Sequence, residues 1–389
     1  MVSLSAEARS AGGAGALRLL IVNGGSASWK LAVVDVRGGE ARERARSRRE
    51  RAADEAPELG FGAALAELGA EAAGAEAVAH RVVHGGRRFL APVAIDAEVE
   101  AEIERLVPLA PLHNPLALAG LRAARRALPG VPQLAVFDTA FHAGREPESL
   151  HYALPRRLAE EEAIFRYGFH GIAHASLAEA LAEAEGRDPE KVTAVTLQLG
   201  QGCSACAIRG GRSFETSMGF TPLEGLPMGT RPGNLDAGAV LQLLRRGRSV
   251  DEVERVLQRE SGLRGLAGSS DVRELLRAEA RGDADARLAL ALFVRRIVET
   301  TGGYLTLLAG EGALVFGGGI GENAAEVRAR VCEGLRAWNV ALDPARNASG
   351  RPGRISADGS RAVYALRTEE ERWMARAAAA LLTGARSTR

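Results

Sequence analysis

The sequence predicts an α/β protein built from two related halves that meet at a shared cleft. The first half opens with a strand over Leu17–Val22, a turn of small residues and a second strand over Trp29–Val36. The same order returns in the second half, where Val192–Leu199 leads through Gly200-Gln201-Gly202 into Cys203–Arg209. This recurrence is the pattern of a duplicated unit, and 389 residues are enough for two domains of ordinary size.

Other parts of the chain are predicted to form a further strand and several helices. Arginine recurs at every second position over Glu43–Arg51, which predicts a third strand with one solvated face. A nucleic-acid-binding patch is the alternative interpretation, but one short run in a protein of net charge +1 does not favour it. Apolar residues at helical spacing predict amphipathic helices, for example over Ser176–Ala184 and Arg287–Leu307.

A third glycine turn, at 317–323, follows a predicted strand over Ala313–Phe316. Asn323, with Glu326 three residues later, predicts the N-cap of the next helix. Glycine turns bring backbone N–H groups close to phosphates, so three of them predict a polyphosphate ligand. The third turn mimics a dinucleotide fingerprint but lies too near the C-terminus, and no GxxxxGK(S/T) sequence is present.

Composition indicates a soluble protein of a reducing compartment. Hydrophobic residues make up 46% and charged residues 25%, and no apolar run reaches the length of a membrane span. The three cysteines are too few for a disulfide framework, and we interpret Cys203 and Cys206 as strand residues rather than a redox or zinc pair. We predict a cytoplasmic protein without nucleic-acid or membrane partners, and a disordered extension at 1–16.

Polar residues cluster in five segments, at 79–86, 110–115, 136–142, 167–171 and 218–236, and all seven histidines lie between His80 and His174. The motifs VNGGSASWK, HRVVHGG, APLHNP, VFDTAFH, YGFHG, TSMGFTPLEGLPMGTRPGNLD, SSDVREL, FGGGIGEN and RTEEE resemble the acetate kinase family over nearly the whole chain. The resemblance implies a duplicated actin-like, ribonuclease H-like fold with a central nucleotide cleft. It implies an N-terminal domain of 17–145 plus 372–389, a nucleotide-binding C-terminal domain of 146–371, and a homodimer.

The resemblance also implies roles for individual residues. Arg81 matches the arginine that holds the substrate carboxylate, and its planar fork suits that task. The positions that match the apolar pocket for the methyl group are Val83, Leu112, Phe169 and Pro222. The positions that match the catalytic set are Asp138, His170 and Arg231. We expect Asp138 to orient arginine or metal-bound water, although proton transfer is its usual description in the family.

The expected cofactors are Mg²⁺, with Mn²⁺ as an alternative, and ATP or ADP as the co-substrate. Asn23 and Glu370 match the metal positions, which suits a hard cation, and Glu371 is an alternative because the register within Glu369-Glu370-Glu371 is ambiguous. The positions that match nucleotide-binding segments are Lys30, Gln198, Leu199, Gly200, Gln201, Gly202, Asp271, Val272, Arg273, Gly319, Ile320, Gly321, Glu322 and Asn323.

The implied reaction is reversible, in-line transfer of the γ-phosphate of ATP to acetate, giving acetyl phosphate and ADP. A carboxylic acid is ionised at neutral pH, so catalysis requires positioning and electrostatic stabilisation more than a strong base. A propionate or butyrate kinase with a wider pocket is one alternative. A nucleotide-binding paralogue of low activity is another, because Gln198, Gln201 and Asn234 replace the histidine, asparagine and aspartate of the family pattern. The lost aspartate is expected to orient Arg231.

Overall fold

The computed structural model describes residues 15–25, 28–50 and 55–384 and contains two mixed sheets of six strands each. The strand order is β3-β2-β1-β4-β6-β5 in the first sheet and β9-β8-β7-β10-β12-β11 in the second. The first three strands of each sheet pair antiparallel, and the next two continue in parallel. The two sheets therefore share one topology, which is the duplication that the sequence predicts.

The strands have the following bounds: β1 Leu17–Gly25, β2 Ser28–Arg37, β3 Glu40–Glu50, β4 Ala77–Val82, β5 Val93–Ala94, β6 Gln133–Phe137, β7 Ala194–Leu199, β8 Cys203–Arg209, β9 Arg212–Thr216, β10 Ala313–Gly317, β11 Gly353–Arg354 and β12 Val363–Ala365. Every strand that the sequence predicts is present, within a few residues of its predicted ends. On β3, exposed and less exposed residues alternate, as the arginine pattern predicts.

The helices have the following bounds: α1 Pro57–Ala73, α2 Ala97–Arg105, α3 Asn114–Ala127, α4 Pro147–Leu150, α5 Arg156–Glu161, α6 Gly171–Glu185, α7 Ala237–Arg245, α8 Val250–Arg255, α9 Gly262–Ala267, α10 Val272–Ala280, α11 Ala284–Leu307, α12 Gly318–Asn323, α13 Ala325–Gly334, α14 Pro344–Ala348 and α15 Glu370–Thr383. Within the described ranges, no helix is both long and apolar enough to cross a membrane. The predicted extension at 1–16 lies, except for residues 15 and 16, outside the described residues.

The last helix, α15, packs against the first sheet rather than the second. Met374, Ala375 and Ala378 are buried in one cluster with Leu19 and Ile21 of β1. Burial of these apolar side chains stabilises the packing of α15, near the end of the chain, on the N-terminal sheet. The packing has a functional consequence, because the acidic residues at the start of α15 are brought to the end of β1.

The third glycine turn differs from its prediction. Asn323 does not cap the following helix, since the turn is itself the short helix α12, and α13 begins after Ala324 without a side-chain cap. The carboxamide of Asn323 instead donates a hydrogen bond to the Gly319 carbonyl, 2.9 Å away. Cys203 and Cys206 both lie on β8, as predicted, and they belong to different apolar clusters because they face opposite sides of the sheet.

Candidate active site

Two neighbouring parallel strands place Arg81 beside Asp138. Arg81 lies on β4, and Asp138 follows β6, where its N–H donates a hydrogen bond to the Val82 carbonyl over 3.0 Å. Nε and Nη2 of Arg81 donate to Oδ2 of Asp138 over 3.0 and 2.5 Å. The other oxygen, Oδ1, is buried and has no hydrogen-bond partner among the described residues. Asp138 therefore anchors the guanidinium group through a single carboxylate oxygen.

The acidic start of α15 meets the same guanidinium group through Asn23. Nη1 of Arg81 donates to Oδ1 of Asn23 over 3.1 Å, and Nδ2 of Asn23 donates to Glu370 and Glu371 over 3.1 and 3.2 Å. Glu371 is only 7% exposed and also lies 3.7 Å from Nη2 of Arg46. Glu370 lacks that second cation and is partly exposed, so it is the more available carboxylate.

The charge on Arg81 is secured by its neighbours. Burial by itself lowers the pKa of Arg81, but the negative charges of Asp138, Glu370 and Glu371 outweigh burial and raise the pKa above its ordinary value. The guanidinium group is therefore cationic at every pH at which the protein is folded. A cation held by a buried carboxylate is preorganised to bind an anion.

His170 and Arg231 converge around Gly202. His170 has a left-handed backbone, with φ of 58°, at the residue before α6. A Cβ atom on Gly202 would lie 3.2 Å from Nε2 of His170 and 3.5 Å from Nη2 of Arg231. Nη1 of Arg231 donates a hydrogen bond to the Pro222 carbonyl over 2.9 Å. The glycine therefore leaves a space between an imidazole and a guanidinium group.

Both arginines lower the pKa of the His170 imidazole. Burial, followed by the positive charges of Arg81 and Arg231, lowers the pKa of His170 to about 3. At neutral pH the ring is therefore neutral and has one N–H to donate. Arg81 and Arg231 therefore both lie near the imidazole of His170.

His113 is a member of this region that the sequence analysis did not single out. Burial, followed by the charges of Arg81 and Arg231, lowers the pKa of His113 to about 4. The residue stands at the N-cap of α3 but makes no side-chain capping bond. Its only signal in the sequence was its place in the APLHNP motif, where it could equally have been a helix cap.

Residues of the predicted methyl pocket differ in their burial. Val83 and Phe169 belong to one buried apolar cluster, and the ring of His84 contacts the ring of Phe169 edge-on. Leu112 is 41% exposed and does not join that cluster, and Pro222 is partly buried. The structure thus brings Val83 and Phe169 together but leaves Leu112 at the surface.

The second and third glycine turns, at 200–202 and 317–323, pack against each other. Gly318 has φ of 74°, and a Cβ atom there would lie 2.5 Å from the Leu199 carbonyl, so only glycine fits. Thr368 Oγ1 donates to Oε1 of Gln198 over 2.9 Å and accepts from the Gly318 N–H over 3.0 Å. Oε1 of Glu322 accepts from the same N–H and from the Thr368 N–H, each over 3.1 Å. These contacts place the segments around Gln198 and Gly318 side by side.

The other predicted nucleotide-binding residues lie in three places: the second glycine turn, the start of α10 and strand β2. The Gly229 N–H donates to the Gln201 carbonyl over 3.1 Å. Asp271 caps α10 and pairs with Arg273, and the hydrogen bond from Arg273 lowers the pKa of Asp271 to about 2. Lys30 belongs to the first sheet, where it lies opposite Asn23 in the β1–β2 ladder.

Asn234 does not occupy a position that orients Arg231, contrary to expectation. Its Oδ1 accepts a hydrogen bond from the Gly225 N–H over 2.8 Å, and its own N–H donates to the Gly225 carbonyl over 2.9 Å. The side chain therefore closes the loop between these residues. Asn234 thus bonds Gly225 and not Arg231.

Comparisons with known proteins agree with this geometry. The model of the acetokinase family matches residues 41–376. The chain belongs to the acetokinase family. It is similar to the acetate kinase of Leifsonia xyli subsp. xyli, with 45% identity over 92% of this chain and 98% of that protein. A relative in Synechococcus sp. (strain JA-2-3B'a(2-13)), also an acetate kinase, is 50% identical over 79% of this chain and 77% of its own.

Solved structures of other acetokinases have the same actin-like fold. The Porphyromonas gingivalis acetate kinase superposes with a TM-score of 0.83 at 32% identity, covering 94% of this chain and all (100%) of that one. A propionate kinase from Francisella tularensis subsp. tularensis SCHU S4 superposes with a TM-score of 0.84, also at 32% identity, covering 93% of this chain and 98% of that one. The predicted fold class, an α/β duplicated actin-like fold, is thereby confirmed.

The buried histidines of this acetokinase predict a loss of stability in mild acid. Burial lowers the pKa of His80, His84 and His113 to about 4 and that of His170 to about 3, whereas an unfolded histidine titrates near its ordinary value of 6.5. Below that value the unfolded chain binds more protons. Each such histidine therefore removes about 1.4 kcal/mol of unfolding free energy per pH unit as the pH falls from 6.5 towards 4.

Urea unfolding at intervals between pH 7.5 and 5 measures this loss. We expect the free energy of unfolding to be constant above pH 7 and to fall steeply below pH 6.5. The variant His80→Gln removes one of the contributing histidines and should reduce the slope. A free energy that does not change down to pH 5 would contradict the prediction.

Proposed function

We propose that the protein transfers the γ-phosphate of ATP to acetate, giving acetyl phosphate and ADP in a reversible reaction. The observation that carries the proposal is the convergence of Arg81, His170 and Arg231, two cations and one neutral donor, on a single region. Such a set can hold a carboxylate and stabilise the charge of a phosphoryl group in transfer. The family supports the choice of reaction, since similar chains are acetate kinases.

In this mechanism Arg81 holds the acetate carboxylate while His170 and Arg231 bind the transferring phosphoryl group. The acid is already ionised, so Asp138 is not required to remove a proton from it. The contacts of Asp138 instead support an orienting role, because its Oδ2 accepts two N–H groups of Arg81. The methyl group would lie against Val83 and Phe169, with Leu112 and Pro222 at the edge of the pocket.

We propose Mg²⁺, with Mn²⁺ as an alternative, as the metal that accompanies the nucleotide. The described residues contain no cluster of three histidine, cysteine or acidic side chains that could hold a metal. A magnesium ion bound with ATP needs only one or two protein carboxylates, because waters and phosphates supply the rest. The partly exposed Glu370, which bonds Asn23, fits that requirement. When bound, the ion would neutralise phosphate charge.

The nucleotide would bind to the C-terminal half, along the segments at 198–202, 271–273 and 319–323. The domain division at 17–145 plus 372–389 and 146–371, Lys30 as a nucleotide contact, a homodimer and a cytoplasmic location are further parts of this proposal. The packing of Gly318 on Leu199 supports the nucleotide site, because the two glycine segments then lie together at the carboxyl ends of the parallel strands β7 and β10.

A propionate kinase is the second candidate, since one of the solved structures of similar fold is a propionate kinase. The buried side chains of Val83 and Phe169 favour the shorter acid. Specificity constants for acids of two to four carbons distinguish the candidates. A maximum at acetate supports our proposal, and a maximum at a longer acid would overturn it.

The proposal is tested by incubating the purified protein with ATP, Mg²⁺ and acetate and trapping acyl phosphate with hydroxylamine. We expect hydroxamate formation that depends on all three components and falls to background in His170→Ala. An unfolded variant would also be inactive. Circular dichroism must therefore show that His170→Ala is folded. Tight ATP binding by calorimetry without any product would favour the nucleotide-binding paralogue instead.

A further inference from the structure

A buried chain of hydrogen bonds leads from the second sheet to the ring of His170. Nδ1 of His170 lies 2.9 Å from Oγ of Ser204, and the same hydroxyl lies 2.8 Å from Nε2 of His174. Nδ1 of His174 lies 2.8 Å from Oγ1 of Thr196. Ser204, His174 and Thr196 each have 0% exposure, so these hydrogen bonds are made inside the protein. We call the four residues the histidine relay.

Two directions of the histidine relay balance its protons, and they differ at Thr196. In the first, the Thr196 hydroxyl donates to Nδ1 of His174 over 2.8 Å; in the second, Nδ1 of His174 donates to Thr196, and the hydroxyl donates to the Cys206 carbonyl over 3.4 Å. Hydroxyl hydrogen bonds are normally about 2.5–3.0 Å long, so the second direction leaves the Thr196 proton with only a long bond. We therefore adopt the first direction, in which Nδ1 of His174 is an acceptor.

The direction of the remaining bonds follows from proton counting. Burial lowers the pKa of His174 well below its ordinary value and that of His170 to about 3, so both rings are neutral at pH 7. A neutral imidazole has one N–H, so His174 donates from Nε2 to Ser204. The Ser204 hydroxyl then donates to Nδ1 of His170. The only position left for the proton of His170 is Nε2.

Nε2 of His170 faces the space that the phosphoryl group is proposed to occupy. It borders the gap above Gly202 together with Nη2 of Arg231, at 3.2 and 3.5 Å from the position of an added Cβ atom. With the opposite direction of the histidine relay, Nε2 would present a lone pair to anionic phosphate oxygens. That arrangement would repel the group that Arg231 attracts.

We propose that Ser204, His174 and Thr196 are positioning residues, which hold the proton of His170 on Nε2 so that it donates a hydrogen bond to the transferring phosphoryl group. The inference rests on the proposed role of His170 and assigns a function to three residues that do not contact substrate. It also accounts for the burial of these polar side chains, each of which would be costly to bury without its hydrogen-bond partners.

Two variants break the histidine relay, and two variants serve as controls. Ser204→Ala removes the central hydroxyl, and His174→Phe keeps a ring but removes both nitrogens. His174→Gln keeps an amide N–H that can donate to Ser204. Ser213→Ala is the matched control, because its buried hydroxyl also bonds a histidine, Nδ1 of His142 at 2.7 Å, but lies outside the histidine relay.

We expect kcat to fall about 10- to 100-fold in Ser204→Ala and His174→Phe, the size typical of losing a residue that orients a catalytic group. The KM values for ATP and acetate should stay within about threefold, because a donor that acts on the transferring group affects kcat. His174→Gln should keep most of the activity, and Ser213→Ala should keep all of it. Equal losses of kcat in Ser204→Ala and Ser213→Ala would overturn the inference in favour of a structural role.

A measurement without substrate tests the inference separately from the reaction. Proton–nitrogen correlation spectra of the ¹⁵N-labelled histidine rings report which nitrogen of His170 is protonated. We expect the proton on Nε2 in the unchanged protein and a mixture of tautomers in Ser204→Ala. A proton on Nδ1, or the same tautomer in both proteins, would overturn the inference even if the unchanged protein forms acyl phosphate. If the unchanged protein forms none, the proposed function fails instead.

Discussion

Replacing Arg81 with glutamine should lower kcat/KM for acetate by about 10³ or more. Loss of one charged donor at a reacting centre costs about 10²- to 10³-fold, and this variant also leaves a buried carboxylate without its cation. Asp138 would keep its position beneath the missing guanidinium group, and its negative charge would repel both acetate and phosphate. The acyl-phosphate assay at varied acetate concentration measures the effect.

A second arginine provides the matched control for this prediction. Arg44 on β3 is 41% exposed and pairs with Asp35, 3.6 Å away. Exposed ion pairs contribute little, so Arg44→Gln should keep its stability and activity. Arg81→Lys should recover only part of the activity, because an ammonium group cannot contact Asp138 and Asn23 as the planar fork does. If Arg81→Gln is folded and keeps the kcat/KM of the unchanged protein, Arg81 does not hold the substrate.

Replacing Gly202 with alanine should lower kcat by about 10- to 100-fold, since small displacements of catalytic groups have effects of this size. The added Cβ atom would lie 3.1 Å from Cε1 and 3.2 Å from Nε2 of His170, closer than comfortable van der Waals contact. The imidazole must then shift by a few tenths of an ångström. The methyl group would also occupy the space between the imidazole and the guanidinium group of Arg231. Steady-state kinetics with ATP and acetate measure the loss.

Another glycine separates this steric effect from a general effect of alanine. Gly62 lies exposed within α1, and an added Cβ atom there would have no neighbour within 4 Å. Gly62→Ala should leave kcat unchanged and raise the unfolding free energy by about 1 kcal/mol, because alanine is the better helix former. Normal kcat in Gly202→Ala would mean that His170 and Arg231 do not act together at this position.

The sequence predicted the fold and the residue types of the candidate site for identifiable physical reasons. Strands such as Cys203–Arg209 are apolar, short and bounded by glycine turns, so local pattern was sufficient to find them. The cap of the helix after the third turn was predicted wrongly, because Asn323 has the chemistry of an N-cap but its side chain bonds the Gly319 carbonyl instead. The role expected at position 234 was also wrong, because chain proximity to Arg231 did not predict that Asn234 bonds Gly225.

The ambiguity between Glu370 and Glu371 shows the limit of motif matching. Both carboxylates bond to Asn23, but only Glu371 lies near Arg46 as well. Spacing along the chain cannot reveal this distinction, because Arg46 lies on β3, which is close to Glu371 in space but far from it in the sequence. His113 was not singled out for the same reason, since its charged neighbours come from other segments.

The sequence by itself determined the family, the duplicated α/β architecture and the chemical types at the site, because motifs and apolar periodicity are local properties. Only the tertiary structure decided which oxygen of Asp138 bonds Arg81 and which acidic residue of α15 also lies near Arg46. These depend on distances between side chains far apart in the chain, and hydrogen-bond direction and pKa follow from those distances and from burial.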